Sequence, residues 1–259
     1  MSHYDTLDFP ISCPCKARLE GTEYATVQSA IDASSDGSDV VKVTGRCYAH
    51  DVVVDNTLTL QGGWNSDFTL QDLTAYASTL DAQGEGRALI VSGGSPVVEA
   101  LHLINGHTGE KGGGVYVGDG TPTLRNNVIH NNISVSDGGG VYLGGDAATL
   151  IGNRIFNNAA TGYDGGGIAI GGFSTATLEG NIVIGNSAYR NAGGIFADYQ
   201  TDVTLINKVI ADNTCCASIW SVGGSGIWLS RGITCSCITP SSTTREAMAR
   251  RSGSPATRR

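Results

Sequence analysis

The sequence predicts an all-β solenoid, in which short strands from successive coils stack into parallel sheets. Four segments each begin with Thr-Leu, carry Ile or Val five positions after the Leu, and end on Asn eight positions after it. They start at Thr123, Thr149, Thr177 and Thr204, at intervals of 26, 28 and 27 residues. A period of about 20 to 50 residues is typical of solenoids, where each coil buries its apolar face only against its neighbours.

A glycine-rich turn and a second apolar strand follow each repeat. These read GGGVYL from Gly138, GGGIAI from Gly165, AGGIFA from Ala192 and GSGIWL from Gly224, and an earlier GGGVYV starts at Gly112. Turns of this kind explain the 37 glycines, because glycine adopts backbone conformations that other residues avoid. The strands are short and rich in Val, Ile, Thr and Leu, and no long helical pattern lies between them. These features favour an all-β fold.

The N-terminal region predicts a cap. Residues 1–20 show no period and are interpreted as an irregular leader, whereas Ala25–Ser34 has the apolar spacing of a short amphipathic helix. The end of a solenoid exposes unpaired strand edges that invite aggregation, so a terminal cap is expected. We therefore expect the helix to cap seven or eight coils formed by residues 35–230.

Two stretches resemble known proteins. The run YATVQSAIDASSDGSDVVKVTGRCYAHDVVVDNTLTLQGG, at residues 24–63, resembles the opening of right-handed parallel β-helix proteins of the pectin-lyase-like superfamily. The later GG-[VI] and I-x-x-N repeats resemble those of polymorphic outer-membrane proteins and related bacterial surface proteins. The resemblance implies a right-handed parallel β-helix over residues 21–230 in a bacterial protein that is secreted or on the cell surface. It leaves the activity open, since the superfamily contains lyases, hydrolases, esterases and proteins without known chemistry.

The charge distribution excludes nucleic acid as the expected partner. Residues 1–230 contain 10 Lys and Arg against 23 Asp and Glu, whereas nucleic-acid binding depends on clustered basic side chains. No apolar run is long enough to cross a membrane. The opening MSHYDTLDFPIS does not read as a signal peptide, so an extracellular location implies that the N-terminus is truncated.

The last 29 residues differ from the rest. Arg231–Arg259 carries six Arg against one Glu and shows no further repeat, which predicts a basic disordered tail. With one permitted set of synonymous codons for Pro240–Arg259, a neighbouring reading frame restores the order Asn, Gly-Gly, apolar strand. We therefore interpret the tail as the product of a frame shift. The alternative is a tail that tethers the acidic rod to an anionic surface.

The cysteines predict one disulfide. They are Cys13, Cys15, Cys47, Cys215, Cys216, Cys235 and Cys237. None has zinc-finger spacing. A bond from Cys13 or Cys15 to Cys47 would tether the cap to the first coil and suit an extracellular protein, whereas unpaired thiols are the alternative.

Strand alternation predicts two columns of buried asparagines. Counting from each Leu, the third position faces inward and the eighth lies at a corner. The first column is Asn127, Asn153 and Asn181, interrupted by Lys208, and the second is Asn132, Asn158, Asn186 and Asn213. Stacked Asn side chains can bond to one another and to the bent backbone, so both columns are expected to be structural ladders.

The same alternation predicts an outward aromatic column. In the glycine-rich strands it contains Tyr116, Tyr142, Ala169, Phe196 and Trp228. The four aromatic residues are the candidate ligand-binding residues, because aromatic faces offer a large contact area to sugar rings. The alternative is that they stabilise one another across the coils.

Carboxylates also recur from coil to coil. Asp137 and Asp164 precede two glycine runs, and Asp119 and Asp146 follow two of the strands. Asp137 and Asp164 are the candidate ligands of a calcium ion, or an acid/base pair as in glycosidases. The alternative is ordinary Asp-Gly turn chemistry.

The sequence therefore predicts a non-enzymatic segment for adhesion or carbohydrate contact, with a glycan or cell-surface polymer as partner. No cofactor is expected apart from the calcium ion considered for the two aspartates. No outward column combines Asp with Arg over three coils, and His102, His107 and His130 have no nucleophile beside them. The alternative is a polysaccharide-active lyase or glycoside hydrolase that uses Asp137 and Asp164.

Overall fold

The computed structural model describes residues 15–35, 37–215, 224–230 and 234–238. These residues form 28 strands, β1–β28, and one helix, α1 (Val27–Asp32). Each coil supplies one strand to each of three long sheets, and neighbouring coils pair in parallel. Sheet 1 has the order β2 (Thr22–Tyr24), β1 (Lys16–Leu19), β3 (Val40–Thr44), β6 (Thr59–Gln61), β9 (Val97–Glu99), β13 (Thr123–Arg125), β17 (Ala147–Ile151), β21 (Thr175–Glu179), β25 (Asp202–Ile206) and β28 (Thr234–Ile238).

The other two long sheets each contain seven strands. Sheet 2 has the order β4 (Arg46–Tyr48), β7 (Ser78–Asp81), β10 (Leu101–Ile104), β14 (Val128–His130), β18 (Arg154–Phe156), β22 (Ile182–Ile184) and β26 (Val209–Ala211). Sheet 3 has the order β5 (Val52–Val54), β8 (Leu89–Ser92), β12 (Val115–Asp119), β16 (Val141–Leu143), β20 (Ile168–Ile170), β24 (Ile195–Ala197) and β27 (Ile227–Leu229). A short sheet 4 lies between sheets 2 and 3 along the chain and has the order β11 (His107–Thr108), β15 (Ile133–Ser134), β19 (Ala159–Ala160) and β23 (Ser187–Ala188).

The predicted all-β solenoid and its number of coils are confirmed. The described residues complete seven coils, each with a strand in all three long sheets. In sheet 1, Thr123, Thr149, Thr177 and Thr204 pair in direct succession, so the repeat read from the sequence is the register of the structure. The core consists of columns of inward apolar side chains that run from coil to coil. Some strands contribute one such side chain, as β13 contributes Leu124, and others contribute two, as β12 contributes Val115 and Val117.

The predicted capping helix is confirmed, although it is shorter than Ala25–Ser34. The Thr26 side chain accepts a hydrogen bond from the Ser29 backbone N–H, and the Ser29 side chain accepts one from the Thr26 N–H. This reciprocal arrangement satisfies donors that the start of a helix leaves unpaired. Three side chains, Val27, Ala30 and Ile31, are buried in the solenoid core.

The boundary of the predicted leader is wrong. Strand β1 lies within residues 1–20 and pairs antiparallel with both β2 and β3. Its four residues alternate, with Ala17 and Leu19 buried, but four residues are too few to reveal a period in the sequence. The predicted disulfide joins Cys15 to Cys47, with a Cα–Cα distance of 4.6 Å. Cys13 and the rest of residues 1–14 lie outside the described residues.

The solenoid also extends past its predicted end at Ser230. Strand β28 lies within the predicted tail and pairs in parallel with β25 over five residues. The prediction missed it because Thr234–Ile238 lacks both the Thr-Leu start and the Asn of the repeat. Residues 239–259, on which the disorder and frame-shift hypotheses mainly rest, lie outside the described residues.

Left-handed residues form the corners before and after sheet 2. In the four coils that carry the sequence repeat, seven of these residues immediately precede an Asn of the two columns, as Asn126 precedes Asn127, whereas Asn207 precedes Lys208, which interrupts the first column. In these four coils the corner residues with positive φ are Asn126, Gly152, Gly180, Asn207, Asn131, Asn157, Gly185 and Asp212, and in the preceding coil they are Ala100 and Asn105. Glycine, Asn and Asp tolerate this conformation better than other residues, which explains why these three residue types occupy the corner positions of the four repeat coils.

Candidate functional site

The predicted aromatic column exists, but little of it is accessible. Tyr116, Tyr142, Ala169, Phe196 and Trp228 pair in direct succession along sheet 3. Alternation correctly placed them on the outer face. However, Tyr142 and Phe196 are each only 8% exposed, and Tyr116 and Trp228 are partly buried.

Packing along the outer face explains this burial. The Tyr116 and Tyr142 rings stack with centroids 5.6 Å apart and planes at 6°. A Cβ on Gly171 would lie 2.4 Å from the Tyr142 Oη, so the tyrosine lies over the coil that carries Ala169 and Gly171. Mutual packing across coils, the alternative considered for these residues, therefore describes their contacts. Their role in ligand binding stays a prediction.

Two cations lie over this column. The Arg87 guanidinium is 4.9 Å from the centroid of Tyr116, and the Lys111 Nζ is 4.4 Å from that of Tyr142. Lys111 also donates to the Tyr142 Oη at 3.0 Å and lies 3.5 Å from an Asp137 oxygen. Burial alone would lower the pKa of Lys111, but the hydrogen bond to Tyr142 and the charge of Asp137 raise it above its usual range. Lys111 is thus a fixed positive charge.

The two candidate metal ligands lie in one column and bind backbone. Asp137 Oδ1 accepts the Asp164 N–H at 3.2 Å, and Asp164 Oδ1 accepts the Asn191 N–H at 2.8 Å and its Nδ2–H at 2.9 Å. Asp164 is only 5% exposed, and this burial raises its pKa although the charge of Arg190 opposes the shift. Within the described residues, no group of three or more His, Cys, Asp or Glu side chains could hold a metal ion. A calcium ion at Asp137 and Asp164 stays a prediction.

The asparagine columns form the predicted ladders. In the corner column, Asn158 Oδ1 accepts the Asn132 N–H at 3.0 Å and its Nδ2–H at 2.9 Å, and Asn158 bonds to Asn186 in the same way. Each Nδ2 also donates to a backbone carbonyl of the preceding coil, as that of Asn158 does to Ile129 at 3.0 Å. The same contacts join Asn127, Asn153 and Asn181. Asn213 completes the corner column through its bonds with Asn186.

The histidines on sheet 2 form a ring cluster. The His130 ring stacks on Phe156 with centroids 4.6 Å apart, and His102 approaches His130 edge-on at 6.5 Å. Burial lowers the pKa of both histidines, and the charge of Arg154 adds to this for His130. The cluster therefore favours neutral imidazoles.

Sequence reasoning missed a pair of exposed aromatic side chains. Phe173 and Tyr199 lie in turns of successive coils, between sheet 3 and sheet 1, and their rings are perpendicular with centroids 6.4 Å apart. Phe173 is 78% exposed and Tyr199 is 52% exposed. The sequence did contain a sign of this pair. Phe173 and Tyr199 are aromatic residues in turns, whereas the corresponding turns of earlier coils contain Gly and Asp, as in Gly118-Asp119 and Gly145-Asp146.

Comparison with known proteins identifies the fold family. The family model described as the right handed beta helix region matches residues 66–238. No curated protein and no solved structure matches the chain. No helix in the part of the chain that the structure describes is long and apolar enough to span a membrane.

Proposed function

Because the chain belongs to the right-handed β-helix family, we propose that it is a non-enzymatic rod on a bacterial surface or in a secreted protein. In this proposal the rod holds a surface for adhesion and contacts carbohydrate or another extracellular polymer. The resemblance of its repeats to bacterial surface proteins, including the polymorphic outer-membrane proteins, supports this assignment.

The burial and hydrogen bonding of the Asp164 side chain carry the proposal that the protein is not an enzyme. Of the two recurrent carboxylates considered for catalysis, it is the more deeply buried, and its Oδ1 accepts two hydrogen bonds from Asn191. A general acid or base must come within hydrogen-bond reach of the substrate. Asp164 instead fastens one coil to the next, as the asparagine ladders do.

Two further observations support an extracellular rod. The Cys15–Cys47 disulfide suits an oxidising compartment, because such bonds are rare in the cytosol. The acidic balance of residues 1–230 disfavours nucleic acid and is compatible with neutral or cationic polymers.

The experiment combines binding and turnover. Purified protein is applied to a glycan array that contains neutral, acidic and amine-bearing polysaccharides, and each bound glycan is then incubated with the protein and assayed for new reducing ends and unsaturated uronides. We expect binding without product. Product formation that scales with protein concentration would overturn the non-enzymatic assignment, and an array without any bound glycan would overturn the carbohydrate contact.

A second candidate function is a polysaccharide-active enzyme, favoured by the raised pKa of Asp164 beside Asp137. Paired carboxylates with different environments serve as acid and base in glycosidases. The variant Asp164→Asn separates the two functions, because an enzyme would lose its activity whereas a structural residue would leave binding unchanged.

A further inference from the structure

The corner between sheet 3 and sheet 1 presents the most exposed aromatic surface described in the structure. Among the exposed large hydrophobic side chains, Phe173 has the highest exposure, and Tyr199 follows it in the next coil. Solenoid packing does not explain the phenyl group at position 173, since most of its surface is in contact with solvent. A perpendicular pair leaves a ring face open for a planar or cyclic ligand.

The backbone conformation of Phe173 is a second unusual feature of this residue, besides its exposure. Its φ of 68° places a bulky residue in the left-handed region, which is unusual for any residue except Gly, Asn or Asp. The phenyl group is therefore held outward at a conformational cost that glycine would avoid.

The turns around the pair carry negative charge, and the ammonium group of Lys111, bound to the Tyr142 Oη beside Gly171, lies on the adjoining face of sheet 3. The last four described turns at this corner, with the adjoining strand ends, lie within residues 118–122, 144–148, 171–175 and 198–202, and these residues include no Lys or Arg. They carry four exposed carboxylates, on Asp119, Asp146, Asp198 and Asp202. Residues 231–233, between β27 and β28, lie outside the described residues.

Two of these carboxylates lie beside the Phe173 turn. The Thr175 N–H donates to the Asp146 carbonyl at 3.2 Å, and the Asp202 N–H donates to the Ser174 carbonyl at 3.1 Å. The Phe173 turn is thus held between one turn that carries Asp146 and another that carries Asp202. A ligand on the aromatic pair meets negative charge on both sides along the solenoid axis.

We propose that this corner, formed by Phe173, Tyr199 and the flanking Asp146, Asp198 and Asp202, binds a glycan of amino sugars with free ammonium groups. The inference rests on the proposed carbohydrate contact and names its site and ligand class. Sugar rings pack on the aromatic faces, while the ammonium groups pair with carboxylates and are attracted to the rings. The same charges repel uronic acid polymers.

This site differs from the aromatic column on sheet 3. Tyr142 and Phe196 of that column are nearly covered, so a sugar ring reaches them only after the outer face is rearranged. The corner pair needs no rearrangement.

The test measures binding of three oligosaccharides of equal length by calorimetry: a β-1,4-linked glucosamine oligomer, its N-acetylated counterpart and an oligogalacturonate. We expect the glucosamine oligomer to bind at least about tenfold more tightly than the other two, and to weaken as salt screens the charges. Failure of the glucosamine oligomer to bind overturns the inference. Binding of a different glycan on the array would still leave the proposed function in place.

Two variants locate the site. Phe173→Gly removes the phenyl group where the backbone already suits glycine, so its melting temperature should not fall while its affinity drops about tenfold or more. Tyr199→Ala should act in the same direction. The matched control is Tyr163→Ala, which removes a tyrosine that is 48% exposed in a different turn and should leave affinity unchanged. Equal affinity of wild type, Phe173→Gly and Tyr199→Ala would place the glycan elsewhere and refute the corner site alone.

The charge requirement has its own test. The double variant Asp146→Asn/Asp202→Asn should reduce the preference for the glucosamine oligomer over its N-acetylated counterpart at least about threefold, because the attraction to ammonium weakens. An unchanged preference would contradict the assigned ligand class.

Discussion

Replacing Asn158 by Ala tests whether the asparagine ladder stabilises the coils. The side chain is buried in the middle of the corner column and takes part in four hydrogen bonds: two accepted from Asn132, one donated to the Ile129 carbonyl and one donated to Asn186. A typical hydrogen bond contributes about 1 kcal/mol net, so the four together predict a loss of about 4 kcal/mol in the free energy of unfolding. Part of the loss arises because the buried Asn132 N–H is left without its acceptor.

The assay is equilibrium unfolding in urea, with hydrogen exchange read by mass spectrometry to locate the change. Exchange should accelerate first in β14, β18 and β22, whose coils the ladder joins. The matched control is Asn157→Ala, which removes an adjacent, exposed Asn with a φ of 53°. This control should cost only about 1 to 2 kcal/mol, through the left-handed backbone. Equal losses for the two variants, or a loss below about 1 kcal/mol for Asn158→Ala, would refute the reasoning.

Three further predictions concern charge, covalent linkage and pH. Asp164→Asn should stabilise the protein by about 1 kcal/mol near neutral pH, because the new Nδ2 can donate to Asp137 as Asn191 donates to Asp164. Since the folded-state pKa of Asp164 is raised, the wild type gains stability as pH falls, and urea titrations at neutral and acid pH should show the advantage of the variant disappear in acid. Cys47→Ser should cost about 3 to 4 kcal/mol, from the 32-residue separation that the disulfide closes, and should abolish the effect of reductant on thermal unfolding; a variant as stable as the oxidised wild type would contradict the tether. Burial lowers the pKa of His102 and His130, so their contribution is complete above a pH of about 6.5 and is lost as pH falls through their folded-state pKa values. His102→Gln/His130→Gln should flatten that part of the stability profile, and NMR titration of either imidazole at or above its ordinary pKa would count against the prediction.

The repeat could be predicted because each coil performs the same physical task. Leu at the start faces the core, and Asn at the third and eighth positions satisfies the backbone where the chain turns, so these residue types recur at fixed spacing. Strands β1 and β28 carry none of these markers. Their positions follow from pairing with β3 and β25, which a search for periodicity in the sequence cannot detect.

The site was harder to predict than the fold. Strand alternation predicts that the Tyr142 side chain points outward, but it does not predict how much of that side chain is exposed. The exposed fraction depends on the small residues Ala169 and Gly171 in the next coil, over which the tyrosine lies. Phe173 and Tyr199 lie in turns, where the coil length varies between 26 and 28 residues and no register relates one turn to the next. Their proximity arises only when the coils are stacked.

The asparagine ladder has a consequence for the growth of this protein over evolution. Each Asn within a column makes the same contacts with the Asn of the coil before and the Asn of the coil after. Duplication of one complete coil would therefore add one Asn to the column without creating a new kind of interface. An insertion of one or two residues within a coil would instead displace its Asn side chain from the Asn side chains of the neighbouring coils. The rod therefore lengthens in whole coils, each adding about 4.8 Å. The seven described coils separate the first and last strands of sheet 2 by about 29 Å, and gain or loss of coils would change this length in steps of one coil.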